Sequence, residues 1–351
     1  MSDEHYLARC RKLASRGDSR VGVNPRVGAV IVHKDRIIGE GYHAYRGGPH
    51  AEVMAVRSVR AQALLPFSRI YVSLEPCNFT GKTPPCTELI LKHKIPEVII
   101  GCADPHPKVA GKGAERLQQN GVSVRFAEDP TPFIELIRPF YVNQQEKRPY
   151  ITLKWAQSAD RFLAGLAQDG SPQPTPISGT EAARLTHQLR AHHYGIMVGR
   201  STAEIDNPTL TTRLFPGPSP VRIIWDRQER LPVTLKVFQD GGQTWVLGKG
   251  THRTQKAVTW LPVLPGAPLH EVLAYLYQEG VGSLLVEGGT FTHKQFLEQG
   301  LFDEIYIYQA PKELAKGVPA PSISTTGNGW SFQSIGNDLL MHFKRKIYES
   351  T

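Results

Sequence analysis

His50-Ala51-Glu52 stands at the start of a predicted helix, Glu75-Pro76-Cys77 just after a predicted strand, and Pro84-Pro85-Cys86 just before the next helix. If one imidazole and two thiolates share a Zn²⁺ ion, a strand end and two helix starts must converge on it. Three protein ligands leave a fourth position for water, which marks a catalytic site rather than a structural one. Bound zinc lowers the pKa of that water toward neutrality. Glu52, two residues past the ligand His50, is placed to carry a proton to a leaving nitrogen. Helix N-termini at His50 and Cys86 favour thiolate and bound anion. The alternative for the same residues is a closed zinc knot, with Cys102 or His93 as fourth ligand, or no metal at all. A lone His-x-Glu says little, but joined to Pro-Cys at a strand end and a second Cys at a helix start it favours catalytic zinc. Cys10 and Cys102 read as small buried hydrophobes.

The surrounding pattern is α/β. Residues 3–15 place Tyr6, Leu7, Cys10, Leu13 and Ala14 on one helical face. A hairpin follows, GAVIV and RIIGEGY joined at His33-Lys34-Asp35. Helices are expected at about 50–59, 86–93 and 112–120, with strands at 70–74, 97–101 and VSVRF. Strands alternating with helices of this length imply a mainly parallel sheet covered on both faces. Proline and charge gather at 128–132 and 146–149, so a domain boundary is placed near 147, giving domains 1–146 and 147–351. The second half restarts with ITLKWA and alternates again: TEAARLTHQLR, GIMVG, VRIIWD, QTWVLG, LHEVLAYLYQ, SLLVEGG, TFTHKQFLEQ, DEIYIYQA. Residues 165–176 and 214–220 read as exposed loops.

Hydrophobic residues at 40% and charged at 21% exclude disorder and coiled coil. The formal net charge of +9 favours anionic partners, phosphorylated small molecules before nucleic acid, because no dense basic run exists. No stretch of about 20 apolar residues is present to span a membrane. The start MSDEHYLARC is acidic and then helical, unlike a signal peptide. Four cysteines in a chain this long make no disulfide framework. A cytoplasmic protein with reduced thiols is expected.

Zinc deaminases share this arrangement, a non-ligand Glu serving as general acid/base, but the usual base deaminase carries Pro-Cys-x-x-Cys. Here eight residues, NFTGKTPP, separate Cys77 from Cys86. With NPRVG (24–28), GEGYH (39–43), PHAEV (49–53), LEPC (74–77) and DPHPKVAGKG (104–113), the first half resembles the deaminase half of the bifunctional riboflavin-biosynthesis deaminase/reductases. That resemblance implies a cytidine-deaminase-like three-layer α/β domain in which His50, Cys77 and Cys86 hold zinc and Glu52 carries the proton. Asn24, His43 and Ala51 would contact the pyrimidine, and Lys82 would approach the substrate phosphate. The family's Ser-His-His or Ser-His-Tyr after the first cysteine is here Asn78-Phe79-Thr80. His106 stands where Asn is common and offers a compensating donor.

Three segments stand out in the second half: Leu153–Asp160; Val198-Gly199-Arg200-Ser201-Thr202 with Asp206-Asn207-Pro208 and Leu210–Arg213; and Val286-Glu287-Gly288-Gly289-Thr290. A strand opening through two glycines into a helix lets a phosphate approach backbone N–H groups, although such a turn is more often a tight corner. No G-x-G-x-x-G is present. Together the segments resemble the reductase half of the same family, which implies a dihydrofolate-reductase-like α/β domain. NADPH would then lie against Asp160, Thr202, Asp206 and Gly288-Gly289-Thr290. The substrate's ribose phosphate would meet Arg190, Leu210 and Arg213, with Glu287 beside the sugar, and Lys154 and Asp160 match the family's Lys…Asp pair at the site. The family's Asp-Gly is here Asp160-Arg161, and its Trp before Ile-Ser/Thr is Pro176.

The resemblance implies hydrolytic deamination of a diaminopyrimidinone ribosylamine phosphate, then NADPH-dependent reduction of its ribosyl chain, by a homo-oligomer. Two rivals are an RNA base deaminase with a binding module attached, and a reductase whose zinc domain is structural or has changed substrate. Against the first, no aromatic platforms interleaved with arginine are evident.

Overall fold

The computed structural model describes residues 2–80, 84–106, 110–264 and 266–346. The chain divides into two compact units, Met1–Lys147 and Arg148–Thr351.

In the first unit the strands are β1 (Gly28–His33), β2 (Arg36–Tyr42), β3 (Arg69–Val72), β4 (Glu97–Ile100) and β5 (Ser123–Phe126), in sheet order β2-β1-β3-β4-β5. The hairpin β1–β2 is antiparallel, β1 also runs antiparallel to β3, and β3, β4 and β5 are parallel. Lys34 and Asp35 turn the hairpin at φ +45° and +59°, where a two-residue turn matching the twist of the strands needs positive φ. The helices are α1 (Asp3–Ala14), α2 (Ala51–Ser58), α3 (Cys86–Lys92), α4 (Lys112–Gln119), α5 (Thr131–Leu136) and α6 (Arg138–Glu146).

Alternation along the strands builds two cores. Ala29, Ile31, Ile70 and Val72 face Ala55 of α2, Ile90 of α3 and Leu117 of α4. Val30, Val32 and Tyr71 face Tyr6, Cys10 and Leu13 of α1 with Phe133 and Phe140 of α5 and α6. Three layers result, and α1 buries the five residues its periodicity predicts. Close approach fixes α2: a Cβ on Gly41 would stand 2.3 Å from the Ala51 carbonyl oxygen and 2.4 Å from Ala55 N. Only glycine lets the helix start, and with it His50 and Glu52, sit this close to β2.

The second unit contains β6 (Tyr150–Gln157), β7 (Phe162–Leu166), β8 (Pro172–Gln173), β9 (Gly195–Gly199), β10 (Val221–Trp225), β11 (Thr244–Gly248), β12 (Arg253–Gln255), β13 (Val258–Pro262), β14 (Ser283–Val286), β15 (Glu304–Gln309), β16 (Val318–Pro319), β17 (Trp330–Ile335) and β18 (Asp338–Lys344). Its helices are α7 (Thr180–His192), α8 (Arg200–Asp206), α9 (Lys236–Gln239), α10 (Leu269–Gln278) and α11 (Thr290–Glu298). The main sheet runs β12-β13-β11-β10-β9-β14-β6-β15-β18-β17. It is parallel from β13 through β15, with antiparallel β12, β18 and β17 outside.

Met197, Ile223, Leu284 and Val286 pack toward Leu273 and Leu276 of α10 and Phe296 of α11, whereas Ile196, Val198, Ile224 and Leu285 pack toward Ala203 of α8 and Val237 of α9. Buried Asp303 ties strand starts together, accepting from Arg148 at 2.6 and 2.9 Å and from Ile151 N at 2.8 Å.

The expected loop at 165–176 is only partly a loop. The end of β7 and all of β8 lie within it, and with β16 they form a small antiparallel sheet. Its pairing is backbone to backbone over distant, Gly- and Pro-rich sequence, which leaves no apolar alternation to read.

Candidate active sites

In the first unit His50 Nδ1 lies 3.2 Å from Cys86 Sγ and 3.6 Å from Cys77 Sγ, and the Cys86 N–H donates to Cys77 Sγ at 3.4 Å. His50 is the N-cap of α2, Cys86 is the first residue of α3, and Cys77 lies beyond the end of β3. The three ligand atoms lie within 4.8 Å of one another, and no fourth His, Cys, Asp or Glu joins them among the described residues. Cys102 instead turns its thiol to the Ser73 carbonyl at 3.6 Å, and Cys10 bonds the Tyr71 carbonyl at 3.3 Å. The closed knot therefore lacks its fourth ligand from Cys102.

Hydrogen bonds from Cys86 and His50 hold the Cys77 thiol down at about 4 despite burial. The Cys77 partner in turn lifts His50 to about 9, against burial. The donor set, one borderline imidazole and two converging thiols, fits zinc. Glu52 is 4% exposed, and burial raises its carboxyl above the ordinary range.

Asn24 Nδ2 lies 3.1 Å from His43 Nε2, and His43 Nδ1 lies 3.0 Å from the Pro49 carbonyl oxygen. A carbonyl only accepts, so Nδ1 carries the proton and Nε2 accepts from Asn24. Burial lowers the His43 pKa, in keeping with a neutral ring. That ring stands edge-on to His50 at 5.7 Å between centroids. Asn24, His43 and His50 are thus brought together, and fully buried Ala51 opens α2 beside them. Lys82 lies outside the described residues. Phe79 and His106, two of the departures from the family pattern, stack on each other at 6.1 Å with 21° between their planes.

Glu75 is the residue that sequence reading missed as more than part of a motif. It is 3% exposed, and its carboxylate accepts backbone N–H bonds from Asp104 at 3.2 Å, Gly111 at 3.0 Å, Gly113 at 3.0 Å and Ala114 at 3.1 Å. A carboxylate at the start of α4 satisfies donors that no helical bond can reach, and it ties the 104–114 segment to the strand end that carries Cys77.

The second unit holds a cavity of about 850 Å³ lined by Lys154, Thr202, Asp206, Glu287, Gly288, Gly289 and Thr290, together with Pro176, Arg200, Arg227 and Arg230. Arg200 lies in a segment that stood out in the sequence, but Arg227 and Arg230 had no sequence signal, since isolated arginines are common on surfaces. A Cβ on Gly288 would stand 2.9 Å from Gly199 N, so only glycine lets the β14–α11 turn meet the end of β9. The Gly289 N–H donates to Thr202 Oγ1 at 2.8 Å, joining two of the expected cofactor residues. Cavity size, glycine turn and flanking cations fit a dinucleotide. Burial raises the Asp206 carboxyl and lowers Lys154.

Asp160 does not line this cavity. Its carboxylate accepts from Ser158 Oγ at 2.5 Å, Leu314 N at 3.1 Å and Ala315 N at 2.7 Å, fixing the 312–315 segment. Arg190, Leu210 and Arg213 also lie off its lining. Arg190 reaches it through Glu287, donating to both carboxylate oxygens at 2.9 and 2.7 Å. The Leu210 side chain is buried in the core. Arg213 is exposed, its guanidinium against Thr209 Oγ1 and Thr211 Oγ1.

Residues 1–102 match the cytidine and deoxycytidylate deaminase zinc-binding region, and residues 149–329 match the RibD C-terminal domain. Riboflavin biosynthesis protein RibD of Aquifex aeolicus is 35% identical, over 98% of this chain and 98% of its own. That of Bacillus amyloliquefaciens is 39% identical, over 95% and 90%. The crystal structure of the Thermotoga maritima diaminohydroxyphosphoribosylaminopyrimidine deaminase/5-amino-6-(5-phosphoribosylamino)uracil reductase superposes with a TM-score of 0.84, at 32% identity over 97% of this chain and 98% of that one. With the zinc donor set in one unit and the glycine-turn cavity in the other, the chain belongs to the RibD family, the bifunctional riboflavin-biosynthesis enzymes that join a zinc-dependent deaminase to an NADPH-dependent reductase.

Proposed function

We propose that the first domain, residues 1–146, removes the 2-amino group of 2,5-diamino-6-(5-phosphoribosylamino)pyrimidin-4-one by hydrolysis, and that the second, residues 147–351, reduces the ribosyl chain of the product to ribityl. The observation that carries the first step is the convergence of His50, Cys77 and Cys86 within 4.8 Å, beside a buried carboxyl two residues from the histidine. His50, Cys77 and Cys86 hold zinc, which when bound lowers the pKa of a coordinated water. Glu52 takes a proton at its carboxylate and delivers it to the departing amino nitrogen, and burial suits it by keeping its pKa closer to the working pH. Asn24 and the proton-fixed His43 orient the pyrimidine from beside His50, Ala51 closes the floor, and Lys82 meets the phosphate.

In the second domain NADPH supplies the hydride. The Gly288-Gly289-Thr290 turn, braced by the Gly289 N–H on Thr202 Oγ1, receives its phosphates at the start of α11, with Asp206 alongside, while Asp160 supports the region through the 312–315 segment. Lys154 and Glu287 orient the sugar, Arg190 holds Glu287, and the Leu210–Arg213 segment receives the substrate phosphate through Arg213. The enzyme works in the cytoplasm as a homo-oligomer in this reading.

The test is ammonia release from the diaminopyrimidinone ribotide by purified, zinc-loaded chain, followed by NADPH oxidation on the product. Both signals are expected. Zinc-loaded, folded protein that releases no ammonia would overturn the deaminase assignment and leave the reductase alone.

A further inference from the structure

The backbone of residues 209–213 is held at almost every position. Arg222 Nη1 donates to the Thr209 carbonyl at 3.2 Å, Arg190 Nη1 to the Thr211 carbonyl at 3.1 Å, and the Thr212 N–H to Ser219 Oγ at 3.0 Å. The last of these anchors is His187 of α7, whose Nδ1 accepts the Arg213 N–H at 2.8 Å. An N–H donor requires a bare Nδ1, so His187 is neutral with its proton on Nε2. The ring is 5% exposed, which makes the bond hard for water to replace. Lys154, Arg190, Arg213 and Glu287 are the charged groups that bear on it, three cations against one carboxylate.

We infer that His187 is a positioning residue of the reductase. As a neutral acceptor it fixes the Arg213 backbone and so aims an otherwise exposed guanidinium at the substrate's phosphomonoester. The inference rests on Arg213 being the phosphate residue. Protonation at Nδ1 would remove the acceptor and set two donors face to face, so the 209–213 segment would loosen in acid. Burial and the neighbouring Arg190 and Arg213 charges lower the His187 pKa and keep the ring neutral at working pH.

The experiment compares wild type, H187A, H187N and R213A as full-length chains, measuring NADPH oxidation on the deaminated, phosphorylated substrate from about pH 8 to 5, with thermal unfolding as a control. Asn places an amide oxygen near the position of Nδ1 and cannot be protonated in this range. H187A is expected to raise KM about tenfold, the size of one lost buried hydrogen bond, with kcat within about twofold. H187N should restore KM. The acid rise in wild-type KM should exceed that of H187N, which retains only the substrate's own phosphate ionisation. If R213A raises KM and H187A does not, the positioning role is wrong while the phosphate site stands. If R213A leaves KM unchanged, the phosphate site itself is wrong. Should H187A not fold, equal acid dependence in H187N and wild type would overturn the role.

Discussion

Arg190 grips Glu287 with Nε and Nη2 on the two carboxylate oxygens, at 2.9 and 2.7 Å, with only 12% and 10% of the two side chains exposed. The arginine reached by resemblance as a phosphate ligand is thus committed to the carboxylate that borders the cavity. Burial pushes the Glu287 carboxyl up, but Arg190, with Lys154, outweighs it and holds the pKa at about 2. A depressed folded-state pKa gives stability that is complete above the ordinary carboxylate range and lost as pH falls toward 2. Wild type should therefore lose about 2–3 kcal/mol of stability between about pH 5 and 2 that E287Q does not lose. At neutral pH, R190A should cost about 3–5 kcal/mol, because it strands a buried charge. Denaturant unfolding measures both. A pH-independent difference between wild type and E287Q would contradict the pairing.

Asp104 titrates in the opposite sense. It is 8% exposed, and burial raises its pKa to about 7 although it accepts the His106 N–H at 2.7 Å. A raised carboxyl pKa means stability present at low pH and lost as pH rises through 7. D104N keeps an acceptor for His106 without the charge. It should be more stable than wild type at about pH 8, by up to about 3 kcal/mol, with the advantage shrinking below about pH 7 and gone only below about pH 4. Equal shifts at both pH values would refute this.

Arg161 adopts φ +64° in the turn between β6 and β7, where the family pattern has glycine. Left-handed backbone costs a residue with a Cβ about 1–2 kcal/mol, which glycine avoids at some entropic cost of its own. R161G should stabilise the chain by roughly 0.5–1 kcal/mol. Destabilisation in a denaturant titration would show that the arginine side chain contributes more than the strain removes.

Much of this was legible along the chain. The order of helices and strands follows from apolar period, and the convergence of His50, Cys77 and Cys86 from ligand chemistry joined to the strand ends and helix starts around them. The rest depends on contacts that no local pattern encodes. Glu75 collects amides from as far as residue 114, Arg190 meets Glu287 across 97 residues, and Phe79 meets His106 across a separate loop. Asp160 illustrates the same limit: its motif indicates a site, but only the fold shows its carboxylate turned to Leu314 and Ala315. The β7–β8–β16 sheet was hidden because its strands are short and rich in glycine and proline.

The measurement that bears most directly on the central claim is E52Q in the full chain, read three ways. Zinc should remain bound at wild-type stoichiometry, since Glu52 is not a ligand. NADPH oxidation on the deaminated substrate should persist, and ammonia release should fall by about 10²–10⁴-fold, the range for a lost general acid/base. Ammonia release at the wild-type rate, with zinc in place, would contradict the account.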